Sequence, residues 1–170
     1  MPVPPRPLIL LLVALATACS SRPADRTATA PGEARVVRVI DGDTVSVRLD
    51  GADEQVRLIG IDTPESVDLR APVECFGTEA SARTAALLPP GTEVRLVRDV
   101  EARDRYGRLL AYLYRADDDT FVNLALAEEG YASVLTYPPN VAHTAEFVAA
   151  VAAARQAGRG LWSACGGPDP

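Results

Sequence analysis

Three short segments of this chain gather residue types that suit phosphoryl chemistry: Asp41-Gly42-Asp43-Thr44, Arg57 through Glu65, and Asp104 through Arg108. Asp43, Asp62 and the backbone carbonyl of Thr63 would supply hard oxygens of the kind calcium takes. Taken alone, Asp41-Gly42-Asp43 reads equally as an ordinary turn. The second segment changes the weighing. Asp62 and Glu65 flank Thr63-Pro64 at the end of an apolar run. Carboxylates crowding two strand ends repel one another unless a cation or an arginine sits among them. The sole histidine is His143 and no C-x-x-C occurs, which argues against zinc or copper.

Two arginines stand near these acids. Arg57 is flanked by Val56, Leu58, Ile59 and Ile61. It is either an outward residue of an alternating strand or a planar fork aimed at a phosphate. Tyr106-Gly107-Arg108 is either a plain turn with glycine at positive φ or a second arginine at the same mouth, on the leaving-group side. An arginine in that place stabilises charge that develops in the transition state.

The elements that must position these groups follow from periodicity and turn residues. Strands are expected at Arg35–Ile40, Thr44–Leu49, Val56–Ile61, Glu93–Val97 and Leu109–Tyr114, with a hairpin turn at Asp50-Gly51. Helices are expected at Phe76–Leu88, Phe121–Glu129 and Ala145–Ala157, stopped by Pro89-Pro90-Gly91, Gly130 and Gly158. Five short strands with a helix between the third and fourth predict a β-rich α+β fold, a five-stranded OB-fold barrel with three helices.

The chain has 170 residues, 48% hydrophobic, enough for one domain with extensions. Leu8–Ala16 is an apolar run after Arg6 and before Thr17-Ala18-Cys19. It is too short to span a bilayer and reads as a signal peptide over 1–18. Small residues directly before Cys19 resemble a lipobox, with Cys19 becoming a lipidated first residue; ordinary secretion and an uncleaved anchor are the alternatives. A flexible linker over 19–34 then leads to a domain over 35–165, and 166–170 reads as a tail. The expected location is extracytoplasmic, as a cell-envelope lipoprotein or a secreted protein, with a membrane contact only through the lipid. If Cys19 is acylated, Cys75 and Cys165 remain. An oxidising compartment would let them form a disulfide, for which chain entropy sets a ceiling of roughly 4–5 kcal/mol. Two separate thiols is the other reading. The formal net charge is −6, and every basic residue is arginine. An acidic chain is a poor general binder of nucleic acid, which disfavours a large electrostatic footprint but not a small site with a few arginines and a cation.

The segments IDGDTV (40–45), VRLIGIDTPE (56–65), FGTEAS (76–81), YGRLLAYLY (106–114), VNLALAEEGYA (122–132) and LWS (161–163) together resemble the staphylococcal-type thermonuclease family, in the family order. The resemblance covers about residues 35–163. It implies calcium held by Asp43, Asp62 and the Thr63 carbonyl, with Asp41 close behind. It implies Glu65 beside the attacking water as general base or water-positioner, Arg57 and Arg108 on the phosphate, and Tyr106 on the substrate phosphate or sugar. The implied reaction is in-line attack of water on phosphorus with loss of the 5′-oxygen, leaving 3′-phosphate ends on single- or double-stranded DNA and on RNA. A monomer is expected. The family pattern offers two nearby tyrosines as a base platform. Here Tyr137 is present but Leu135 stands where the other would fall, which should weaken stacking by roughly 1–3 kcal/mol.

Weaker signals read as structural. His143 is expected at the surface or as a cap. Asp117-Asp118-Asp119 reads as a solvated turn, Trp162 as a packing anchor beside Cys165, and Asp104 as support for the Tyr106 turn. Ser81 and Ser163 carry no nucleophile elbow. Two rival readings remain, a catalytically inactive OB-fold nucleic-acid-binding module and an envelope protein with protein or carbohydrate contacts. The first is disfavoured because a mere binder has no need of an acidic cluster facing phosphate.

Overall fold

The computed structural model describes Met1, residues 33–67 and residues 72–168. The expectations for Cys19 and for most of the leader and linker therefore lie outside the described residues, as do residues 68–71 and the last two residues of the tail.

The chain runs β1 (Glu33–Asp41), β2 (Thr44–Leu49), β3 (Ala52–Leu58), β4 (Gly60–Asp62), α1 (Gly77–Leu87) and β5 (Glu93–Val97). It continues through β6 (Leu109–Arg115), α2 (Val122–Glu128), β7 (Ser133–Leu135), α3 (Thr144–Gln156) and α4 (Leu161–Ala164). Strands β1-β2-β3-β6-β5 close into a five-stranded barrel, with β5 pairing back onto β1. The β3–β6 pair is parallel and the others are antiparallel. This is the expected OB-type barrel. The expectation of three helices is short by one, because the brief α4 follows them. A two-stranded β4–β7 sheet also lies outside the barrel.

Alternating apolar positions account for the barrel interior. Val45, Val47, Val56, Leu58, Val94 and Leu113 are fully buried. Asp50 and Gly51 both adopt positive φ, 49° and 83°. That turn twists with its strands, so Leu49 pairs with Ala52 and β3 begins directly after it. The expected start at Val56 was late because Ala52–Gln55 is polar and lacks an apolar face.

One bend matters most for the site. The sequence predicts a single strand over Val56–Ile61. The chain instead breaks at Ile59 and resumes as β4. Gly60 has φ +86°, and a Cβ there would lie 2.2 Å from the Phe147 ring. Both the conformation and the ring of α3 demand glycine. Asn123 of α2 holds the bend from behind. Its fully buried amide donates to the carbonyls of Ile59 (2.9 Å) and Ala111 (3.3 Å) and accepts from the Leu113 N–H at 3.0 Å. The amide thereby supplies partners to the Ile59 carbonyl and the Leu113 N–H at the break, and a second donor to the Ala111 carbonyl, which also accepts from the Ile59 N–H at 3.2 Å.

The remaining elements cap the barrel. Phe147 and Leu126 are fully buried beneath α2 and α3. Arg83 of α1 makes a two-pronged ion pair with Glu129, at 2.6 and 2.7 Å. Cys75 and Cys165 form a disulfide that links the entry to α1 with the end of α4 across 90 residues of sequence. His143 is not a plain surface group. It packs edge-on against Tyr112 (4.5 Å) and Phe121 (5.1 Å), and its Nδ1 lies 2.8 Å from Glu146. It occupies the N-cap position of α3 without making a capping bond. The three aspartates at 117–119 are exposed, as a turn predicts, and pair with Arg115 and Arg95.

Candidate active site at the barrel mouth

The β1–β2 turn carries the first group of acids. Asp41 and Asp43 are 6% and 4% exposed, unusual for carboxylates. Asp43 is wired on both oxygens. Its Oδ1 accepts from the Thr44 hydroxyl at 3.0 Å and its Oδ2 from the Thr63 N–H at 3.1 Å. Asp41 accepts from the Ser66 hydroxyl. Thr84 of α1 donates to the Gly42 carbonyl at 2.6 Å and so pins the turn to the helix. A Cβ at Gly42 would fall 2.5 Å from the Thr63 hydroxyl, so the two acidic segments touch here.

The bend at Gly60 brings Asp62 back to Arg57. In a straight strand five residues span about 16 Å at 3.3 Å per residue. Here Arg57 Nη2 donates to Asp62 Oδ1 at 2.6 Å while Nη1 pairs with Asp43. The Arg57 guanidinium thus sits between the two carboxylates expected to hold a cation. Burial is the largest influence on Arg57 and lowers its pKa; Asp62 opposes that, and the nearby charge of Arg108 lowers it again. Both arginines line the same cleft.

Among the described residues Arg108 is held by one acid. Asp104 accepts from Arg108 Nε at 2.7 Å and, through its other oxygen, from the N–H groups of Tyr106 and Arg108, both at 2.9 Å. Burial pushes the Asp104 carboxyl up, but these donors outweigh it and its pKa lies below the ordinary value. Gly107 makes the turn at φ 87°.

A cleft of about 600 Å³ opens beside the two arginines, with Arg105, Tyr106, Leu135 and Tyr137 on its walls. Tyr106 and Tyr137 are 69% and 65% exposed. Leu135 lies beside them in the cleft and is 40% exposed. Asn140 fastens the Tyr137 loop by accepting from the Glu101 N–H at 2.8 Å.

Of the residues singled out from sequence, Asp41, Asp43, Arg57, Asp62 and Thr63 converge. Arg108, Tyr106 and Tyr137 form the adjoining cleft, and Glu65 follows Thr63-Pro64 on the acidic side. Among the described residues no group of three His, Cys, Asp or Glu side chains is close enough to hold an ion. The donors near Arg57 are nonetheless all hard oxygens, and the buried Thr63 hydroxyl has no hydrogen-bond partner. Such a set suits a hard cation and not a soft one. Sequence reasoning missed Thr84, Ser66, Asn123 and Glu74. Only Thr84, a β-branched hydroxyl within an Ala-rich helix, carries a local signal.

A closed OB-type barrel with paired acids and arginines at one mouth, beside an aromatic cleft, defines a barrel protein with an anion-facing site. Residues 55–164 match the family described as staphylococcal nuclease homologue, and the chain belongs to that family. It is 49% identical over 110 residues to a thermonuclease of Staphylococcus intermedius, covering 64% of each chain. It is 40% identical over 129 residues to a thermonuclease of Staphylococcus hyicus, covering 76% of this chain and 75% of that one. Endonuclease YncB of Bacillus subtilis (strain 168) is 37% identical over 131 residues, covering 76% of this chain and 61% of that protein. The chain thus spans between about three fifths and three quarters of the length of these relatives.

Proposed function

We infer that this chain is a calcium-dependent nuclease that hydrolyses phosphodiester bonds of DNA and RNA and leaves 3′-phosphate ends. The observation that carries the reading is Arg57, held between Asp43 and Asp62 at a mouth that Arg108 and Tyr106 share. A guanidinium already clasped by two acids has to be released toward a substrate phosphate, and a cation taking the acids would release it. Names of relatives, thermonuclease and endonuclease, support the same reading.

A bound calcium, held by Asp43, Asp62 and the Thr63 carbonyl with Asp41 behind, would supply positive charge beside the phosphoryl oxygens. The rest of the work falls to the chain. Arg57, once released from its two acids, and Arg108 bind non-bridging phosphate oxygens, and their planar forks stabilise the charge that develops there. Glu65 orients the attacking water and takes its proton. The water oxygen bonds to phosphorus, the bond from phosphorus to the 5′-oxygen breaks, and the 5′-oxygen departs on the Arg108 side and takes a proton from solvent water, while Glu65 gives its proton back to solvent. Tyr106 contacts the phosphate or sugar, and Tyr137 stacks on a base. Leu135 and the acidic surface make binding weaker than a second tyrosine and a basic surface would. Export, lipidation at Cys19 and a monomeric state belong to the same proposal; a disulfide-bonded Cys75–Cys165 pair suits an oxidising compartment.

The test is degradation of single-stranded DNA by the full chain, with calcium and with chelator, beside Arg57→Ala and Glu65→Ala variants. Calcium-dependent cleavage to 3′-phosphate ends, lost in both variants, is expected. DNA binding without cleavage would replace the enzyme by a binding module.

A further inference from the structure

Glu65 is clamped by another acid. Its N–H donates to Glu74 Oε2 at 2.9 Å, and the Glu74 N–H donates back to the Glu65 carbonyl at 2.9 Å. Both flanking peptides of Glu65 are thus held by one residue. The clamp is backed by α1. The Gly77 N–H donates to the Glu74 carbonyl at 3.0 Å, and a Cβ at Gly77 would lie 2.5 Å from the Glu65 carbonyl oxygen. The next residue after Glu74 is Cys75, bonded to Cys165. Cys165 is itself anchored, since its N–H donates at 2.9 Å to the carbonyl of fully buried Leu161.

A carboxylate is a poor choice here on charge alone, because it adds a negative group to a mouth already rich in acids. What it supplies is an acceptor for the Glu65 N–H. We propose that Glu74 is a positioning residue for Glu65 and that the Cys75–Cys165 disulfide holds Glu74 in place, so that reducing the disulfide slows turnover at this site. The proposal rests on the reading of Glu65 as the residue that handles the attacking water. Reduction by a dithiol transfers two electrons and two protons, breaks the S–S bond, leaves Cys75 and Cys165 as thiols and releases the reagent as its own disulfide.

The experiment compares the full chain oxidised and treated with dithiothreitol, beside Glu74→Gln and Glu74→Ala, with Glu65→Gln as reference. The readouts are kcat and KM on single-stranded DNA with calcium, and amide hydrogen exchange at Glu65. Glu74→Ala and the reduced protein should lose about ten- to a hundredfold in kcat with KM within about twofold, the size expected for a misplaced catalytic group. Their Glu65 amide should exchange about tenfold faster, while the amides of Val45 and Val56 in the barrel stay as slow as before. Glu74→Gln keeps an acceptor oxygen and should recover most of the rate. Equal losses for Gln and Ala overturn the proposal, as does faster exchange throughout the barrel, which marks a merely structural role. If Glu74→Ala fails to fold, the oxidised and reduced forms of the natural chain decide by the same readouts. A dead Glu65→Gln beside an unimpaired Glu74→Ala overturns this proposal alone. An unimpaired Glu65→Gln overturns the role of Glu65 and this proposal with it.

Discussion

The two walls of the mouth are built by opposite means. In the acidic wall Asp41, Asp43 and Thr63 are buried while Asp62 is exposed, and both oxygens of Asp43 and both ends of the Arg57 fork are engaged. Helix α1, strand β3 and the Gly60 bend all brace it. The arginine–tyrosine wall, Arg105 to Tyr137, is largely exposed, and Asp104 and Asn140 are its main fasteners. Groups that must meet a small reacting centre gain from rigidity, because a small misplacement costs rate. Groups that accept varied bases along a strand gain from freedom, because stacking tolerates any base. The molecule divides these demands between two pieces of chain.

Changes to the rigid wall should therefore act on rate, and changes to the tyrosines of the open wall on binding. Arg57→Ala should have the largest effect, lowering kcat by about 10³–10⁵. Single-turnover cleavage of DNA measures it, and a change confined to KM would break the comparison. Glu65→Gln should follow, at about 10²–10⁴ in kcat, with no more than a small change in thermal stability.

Gly60→Ala sharpens the contrast from the side of the fold. It adds a methyl where the Phe147 ring stands and forces alanine to positive φ. The expected loss is about 2–4 kcal/mol in urea unfolding, with activity falling because Asp62 no longer meets Arg57. A variant as stable and active as the parent would show that the bend is not what joins them.

On the open wall, Tyr137→Ala should raise KM for single-stranded DNA by about tenfold, at the lower end of the stacking range, and leave kcat nearly unchanged. Asp104→Asn should act mainly through pH. The folded pKa of Asp104 lies below its ordinary value, so its bonds add stability above the unfolded pKa near about 3.9, and that stability is lost as pH falls through the folded pKa. The variant should have a flatter acid limb below about pH 4, read by urea unfolding at pH 3 and pH 6. An unchanged acid limb would mean that Arg108 is held by something other than this carboxylate.

Much of the fold was legible because its signals are local. Thr44–Leu49 and Glu93–Val97 appear with the expected bounds, and Asp50-Gly51 turns the chain as its residue types require. The break at Ile59 was not legible, since Leu58-Ile59-Gly60-Ile61 reads as one apolar run and nothing nearby announces Phe147 beneath Gly60. Asn123 and Glu74 were invisible as site residues for the same reason, and Thr84 showed only as a hydroxyl within an Ala-rich helix. Each acts on a segment distant in sequence or folded back against it, through a bond that no spacing encodes.

By itself the sequence determined the inventory: which side chains carry charge, which runs make strands, and where turns and helices stop. Those properties belong to single residues and their near neighbours, so periodicity and residue type reveal them. Only the tertiary structure decided that Arg57 stands between Asp43 and Asp62, that His143 lies among aromatic rings, and that Glu74 grips the backbone of Glu65. These depend on barrel closure and on one glycine bend, which bring together groups that a straight chain would hold well apart.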